Sequence, residues 1–419
     1  MPAWLQLKYA HANGLLSDDI FAVANILKVM SLHRVSDIYG PLPVLHFGET
    51  ENPYNSQEEC YMHFFETLDS AIAVLKDVVE NNPDAKPLEE VDALYHGDYS
   101  KWLKLANSVK LRLAMRICYV KPDLAKQYAM EAVRDGVMET ADDSALFQSW
   151  GSITVINPLE KIWNGYSDTR MGASMDSYLN GYNDPRLPVY FQPVTDGDNK
   201  GEYRGVANGM PNPQQEDYKA MSSPNVQEKS TDSPLRWMMA SEVAFLRAEG
   251  AMRGWTAEMG GTAEEFYNKG IELSFLENGL SADAAARYAA DETSKPTDFT
   301  DVSAANTKYN ISALGKIAIK WNSGASEEEQ LERIITQKWI AMFPNGTEAW
   351  SEFRRTGYPR LFPVRYNYPS SGVDTNKQIR RMVFPQSEYS NNGAAVQEAV
   401  KLLGGPDNGG TKLWWDKKN

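Results

Sequence analysis

The spacing Ser56-x-x-Glu59 opens the stretch that most constrains this chain. At that spacing each side chain satisfies a free backbone N–H of the other residue, which fixes a helix start. Behind it Tyr61, Phe64, Phe65, Leu68, Ala71, Ile72, Leu75, Val78 and Val79 recur with a 3.6-residue period. Asn81-Asn82-Pro83 supplies the stop. A helix with so continuous an apolar stripe must lay it on other helices. The flanking sequence provides them. Ser17-Asp18-Asp19 can cap a helix with Ile20, Val23, Ala24, Leu27 and Met30 on one face, ending by Gly40-Pro41. Further helical periods run over 100–118 and 123–135, with Gly136 as terminator.

The middle, 150–236, breaks this rhythm. It is dense in Gly, Pro, Asn and Tyr (GYSDTRMGASMDSYLNGYNDPRLPVYF), so loops are expected, with short strands around 187–194. Long loops in a compact protein are functional or disordered, and the aromatic content argues against disorder. Helices resume near 238 with MASEVAFLRAEGAMRGW, and Thr262 and Glu265 cap the next one. Helix pairs recurring at roughly 35–45 residues suggest tetratricopeptide-like hairpins in shape, without that repeat's strict consensus. The expected fold is all-α, with tetratricopeptide-like helical hairpins, a large loop-rich insertion and few short strands. As one domain, it divides into hairpins 1–149, the insertion 150–236, hairpins 237–345 and a C-terminal segment 346–419 packed on the helices.

The aromatic stretch QKWIAMFPNGTEAWSEFRRTGYPRLF (337–362) reads as an internal strut. Ser326 and Glu329 suggest another capping box. Leu331, Ile334, Ile335, Trp339, Met342 and Phe343 line one face of that helix, and Pro344-Asn345-Gly346 closes it. Thr347 is expected to cap a short second helix in which Glu352 reaches Arg355 and Arg354 lies near the Trp350 ring. Gly357 and Pro359 end it. Glu348 and Glu352 are expected on its exposed face.

The chain of 419 residues carries a formal charge of −14. Without a cluster of Lys and Arg it offers no phosphate-binding face, so nucleic acid is excluded as a partner. Cys60 and Cys118 fall within helical patterns and read as buried thiols. GGPDNGGTK lacks the Lys that a phosphate loop needs directly after its last glycine. The five histidines have no metal-ligand spacing. DGDNKGE, 196–202, departs from the calcium-loop pattern and reads as a solvated turn. No catalytic motif, cofactor or metal is expected.

Flat rings on loops, with amides and arginines beside them, suit a sugar's C–H faces and hydroxyls. The segment after Lys161 has that composition: Trp163, Asn164, Tyr166, Asp168, Arg170, Tyr178, Asn180 and Tyr182. The loop after Pro43, with His46, Phe47, Tyr54 and Asn55, is a second candidate.

The strut segment RIITQKWIAMFPNGTEAWSEFRRTGYPRL resembles the C-terminal signature of the SusD/RagB family of Bacteroidota outer-membrane nutrient-binding lipoproteins. RRMVFPQSEYSNN (380–392), GGPDNGGTKLWWD (404–416), VMSLHRVSDIYGPLPVL, WLKLANSVKLRLAMRI, DPRLPVYF and SEVAFLRAEGAMRG resemble it too, in the expected order along nearly the whole chain. The resemblance implies a non-catalytic cell-surface protein of polysaccharide utilization. It would capture a glycan or oligosaccharide for import through a SusC-like TonB-dependent transporter, with its ligand site on the loop-bearing face. Members carry a signal peptide and a lipidated cysteine. No cysteine precedes Cys60 here, so membrane association is expected only through a lipid anchor that the precursor would carry. Two other readings stay open. One is a helical-repeat scaffold holding a protein segment in a groove, and the other an α-helical glycoside hydrolase with two inward-facing acids.

Overall fold

A computed structural model describes residues 2–210, 215–225 and 233–418. Most of it is helical. The capping box at Ser56 and Glu59 forms as expected and starts the helix Gln57–Asn81, whose apolar stripe is buried from Cys60 to Leu75. This helix packs between Asp18–Tyr39 and Tyr99–Arg116, and the latter packs in turn on Pro122–Arg134. The second capping box, Thr262 with Glu265, likewise forms and starts Ala263–Leu276. That helix pairs with Ala240–Met252, which also contacts Glu327–Ala341 and Tyr99–Arg116. Helices adjacent in sequence pack side by side, the expected all-α hairpin architecture, although the connections 40–56 and 82–98 are longer than tight turns. At Ser326 only half of the expected box forms. The Ser326 hydroxyl caps the Glu329 N–H, while the Glu329 carboxylate turns to Arg333 at 3.2 Å.

One small sheet is present among the described residues. Ala145–Phe147 and Leu235–Met238 pair antiparallel, Ala145 opposite Met238. The loop-rich region therefore leaves and re-enters the helical body at one place. Its described residues hold more helix than its composition suggests. The helix Ala173–Gly181 buries Tyr178 and Leu179 against Phe245, Tyr267 and Ile271 of the second helical group. The strand expected around 187–194 is instead a one-turn helix, Leu187–Tyr190. Pro188 presets the helical backbone angle, and the Asp184 carboxylate accepts the Arg186 N–H at 2.9 Å. Extended backbone begins only at Phe191, which bridges to Pro224.

The strut segment forms two helices, Glu327–Ala341 and Gly346–Thr356, the second ending at Gly357 with φ 79°. Asn345, not Thr347, occupies the cap position; its carboxamide oxygen accepts from Arg34 at 2.6 Å, while Thr347 lies within the helix. Arg354 stacks 3.5 Å from the Trp350 ring centroid and donates to the carbonyls of Asp37 and Arg380. The expected exposed face of this helix does not exist. Glu348 and Glu352 are almost fully buried. Arg116 donates to both carboxylates, and Lys338 reaches Glu352 at 2.9 Å. Arg355 bridges Glu352 and Glu249 at 2.6–2.9 Å.

These contacts belong to one interior lattice of charge. Asp37, Glu242, Glu249, Glu348 and Glu352 face an equal number of cations, Arg112, Arg116, Arg253, Lys338 and Arg355. Burial opposes ionisation of Glu249, yet Arg355 and Arg253 hold it down to about 2. Burial acts on Glu348 in the same sense and is outweighed by Arg116 and Arg112, again to about 2. Asp37 differs: burial dominates and its pKa rises, although Tyr61 at 2.5 Å and Trp415 at 2.8 Å donate to it. Both cysteines are buried and free.

Candidate functional site

Two clefts open where the loop-rich region meets the strut. The smaller, about 220 Å³, lies between Arg170, Ser174 and Asn208 on one side and Phe362 and Gln378 on the other. The Ser174 hydroxyl accepts the Phe362 N–H at 3.0 Å and so ties the C-terminal segment to the Ala173–Gly181 helix. The larger cleft, about 500 Å³, is lined by Arg34, Asn157, Asn225, Asn278, Asn345 and Trp237 among others. Phe343 lines both clefts, with the rings of Tyr190 and Phe191 4.8 and 4.9 Å from its own. Apolar walls studded with amides and guanidinium groups are the usual make-up of a small-molecule site. In the larger cleft Arg236 Nη1 and Asn278 Oδ1 are buried without a partner among the described residues, and such groups are costly unless a ligand or water completes them.

Residues 157–170 run from one cleft to the other. Asn157 caps a short turn by accepting the Leu159 N–H at 3.0 Å. A widened helical turn, Lys161–Tyr166, then ends at Ser167, whose φ is 55°. The Trp163 ring is half-buried, and the Arg170 guanidinium lies 5.0 Å from its centroid. Arg170 is pinned by the carbonyls of Ser167, Thr169 and Lys219. Burial lowers its pKa from the ordinary arginine value, with Asp168 acting against that. Tyr166 is 60% exposed, and Asp168 is exposed as well. The Asn164 side chain lies outside the described residues.

Tyr178 and Tyr182, expected at the ligand surface, are both 2% exposed. Their helix turns them inward, where Tyr178 bonds the backbone of Arg360 and Tyr182 the carbonyl of Ile317. Asn180 is also structural, donating to Asp176 and the Tyr203 carbonyl. The loop after Pro43 lines neither cleft. Phe47 sits 6.1 Å from Trp4, Tyr54 packs edge-on against Phe384 and donates to Glu388, and buried Asn55 accepts the N–H groups of Val44 and Leu45.

Sequence reasoning missed a second aromatic group. Tyr366 and Tyr368 are 47% and 71% exposed and stand edge to face, 5.5 Å apart. The Arg365 N–H binds the Asn208 carbonyl at 3.3 Å, which sets this pair beside the smaller cleft. Their stretch, RYNYPSSG, carries the same composition that marked the residues after Lys161.

One interior group has metal-ligand character: His33, Asp37 and Glu348 bring donor atoms within 4.8 Å of one another. Arg116 already binds Glu348 and lies 3.4 Å from Asp37, so guanidinium supplies the positive charge there. The turn at 196–202 is exposed, with Asp196 bonded to the next N–H. No helix among the described residues is long and apolar enough to cross a membrane.

Comparison with known proteins matches the same architecture. A family model, SusD-like, described as "Susd and RagB outer membrane lipoprotein", covers residues 1–416. A chitin-binding SusD homologue from Flavobacterium johnsoniae is 40% identical, at TM-score 0.91 over 99% of this chain and 84% of its own. A SusD-like protein from Bacteroides thetaiotaomicron is also 40% identical, at TM-score 0.92 over 100% and 85%. No curated protein matches. The match runs over nearly the whole of this chain, and the chain belongs to the SusD-like family of outer-membrane lipoproteins.

Proposed function

We propose that the protein is a non-catalytic, cell-surface glycan-binding protein. It captures an oligosaccharide and delivers it to a SusC-like TonB-dependent transporter. The observation that carries this reading is the pair of clefts sharing Phe343, with Trp163, Tyr166 and Arg170 on the segment between them and Tyr366 and Tyr368 beside the smaller one. Rings stack on sugar faces, while the arginines and amides bind hydroxyls. The chitin-binding relative gives the ligand class independent support. Among the described residues neither cleft is lined by Asp or Glu, whereas glycoside hydrolysis needs two carboxyl groups across the scissile bond. Lipid anchoring of the precursor holds the loop-bearing face towards the nutrient and leaves the helical face for the transporter. The reading is tested by calorimetric titration with a glycan panel that includes chitin oligosaccharides. Saturable binding without release of reducing ends is expected; no binding to any glycan overturns it.

A further inference from the structure

A third cavity, about 370 Å³, adjoins the smaller cleft and shares Leu361 with it. Among the described residues its charged lining is entirely cationic: Arg354, Arg360, Lys377, Arg380, Lys412 and Lys418. In a chain of net charge −14 such a concentration requires an explanation. Internal pairing accounts for only part of it. Arg360 meets Glu332 at 3.0 Å, Lys418 meets Glu328 at 2.7 Å, and Arg380 meets Asp416 at 2.6 Å. Lys412 is 4.0 Å from that same Asp416, which Arg380 already engages. Lys377 enters no ion pair among the described residues.

Arg354 is the most telling of the six. Arg354 is 1% exposed and, among the described residues, its guanidinium bonds the carbonyls of Trp350, Asp37 and Arg380 and the Ser351 hydroxyl but no carboxylate. Burial drags its pKa down to about 9. Six cations line the cavity and no carboxylate among the described residues does; Glu332, Glu328 and Asp416 pair with three of them from behind, and Asp37 and Asp374 lie near Arg354 and Lys377. The remaining walls include Leu314, Leu361 and Pro363, aliphatic surfaces that accept the C–H face of a ring.

We propose that this cavity binds an oxyanion carried by the captured glycan, a uronate carboxylate or a sulfate ester, with Lys377 and Lys412 as its principal cations. The proposal rests on the glycan reading above and narrows it to acidic polysaccharides. Charge-assisted hydrogen bonds are the stronger kind, so one well-placed oxyanion raises affinity by about tenfold or more.

The test is calorimetric titration with four probes: chitotetraose, its 6-sulfated form, tetragalacturonate and its methyl ester. At least one acidic probe is expected to bind about tenfold tighter than its neutral counterpart. In Lys377→Glu/Lys412→Glu that advantage disappears, neutral binding is unchanged, and an unaltered melting curve shows the fold intact. The sulfated and galacturonate arms distinguish the two anion sources. Neutral and acidic probes binding equally, or an advantage that survives charge reversal, overturns the anion site and leaves the glycan reading standing. Binding confined to acidic probes and lost in the variant supports the site while sinking the neutral clefts. Absence of binding by all four overturns the site.

Discussion

Arg112 on the helix Tyr99–Arg116 holds Glu242 on the helix Ala240–Met252 through two hydrogen bonds of 2.7 Å, across 130 residues of sequence. Both side chains are almost wholly buried. Breaking such a pair leaves an uncompensated charge in the interior and costs about 3–5 kcal/mol, whereas replacing both partners by apolar residues is often neutral. Arg112→Ala is expected to fall in that range by denaturant titration. Arg112→Met combined with Glu242→Leu should recover most of the loss. A double variant as unstable as the single one would contradict this account.

Acid should unfold the protein in two stages. His33 is buried and kept neutral, its pKa lowered to about 3 by burial first and Arg112 second. Between about 6.5 and 3 the unfolded chain binds a proton there that the folded chain refuses, so stability falls as pH falls. Glu249 and Glu348, both held to about 2, stabilise fully above their ordinary value of 4.5. That contribution is lost between about 4.5 and 2. Melting temperature measured against pH should decline gently below 6.5 and steeply below 4.5. His33→Gln should lessen the gentle part and leave the steep part; what remains of the gentle part belongs to His63, which burial and then Lys28 hold down to about 4.

Ring truncations separate the recognition surface from the interior. Trp163→Ala and Tyr368→Ala each remove a ring from the cleft rims, where such stacking contributes about 0.5–1.5 kcal/mol beyond its area. Glycan affinity should drop up to about tenfold, with the melting temperature unchanged. Tyr178→Phe should do the opposite, costing about 1 kcal/mol of stability through its lost bonds to Arg360 and leaving affinity as it was. Calorimetry alongside thermal denaturation reads both quantities.

Gly181 ends the Ala173–Gly181 helix against residues 295–297. An added Cβ would collide with the Lys295 carbonyl and come within 2.6 Å of the Thr297 nitrogen and 2.7 Å of Pro296 Cα. Backbone atoms cannot step aside as a flexible side chain can, so Gly181→Ala should cost about 1–3 kcal/mol. Limited proteolysis should find new cleavage between 150 and 225, since that region depends on this contact. An unchanged digestion pattern would show the contact to be dispensable.

What could be read from sequence follows the range of the interactions. Ser56 with Glu59 and Thr262 with Glu265 were legible because three residues contain the whole device. Glu348 and Glu352 were not, because an i, i+4 polar stripe looks solvated until Arg116, 232 and 236 residues away, arrives beside it. The candidate site was half legible. Composition picks out tyrosines in glycine-rich sequence but not the way they face. Trp163 and Tyr166 therefore read the same as Tyr178 and Tyr182, which the nine-residue helix turns inward. Tyr366 and Tyr368 carried the same signal outside the insertion, where it was overlooked.

Helical solenoids usually stretch and bend, because each unit touches only its neighbours and the units slide on greasy seams. Here that freedom is blocked. Shifting one helix by even half a turn would strand several ions at once in a dry interior, since Arg112, Arg116 and Arg355 are each shared among carboxylates from different helices. The helical body is therefore expected to move as one block, not as a spring. If the proposed delivery to a transporter involves swinging, that motion would hinge at the margins of this body, and cargo would travel on a platform that keeps its shape.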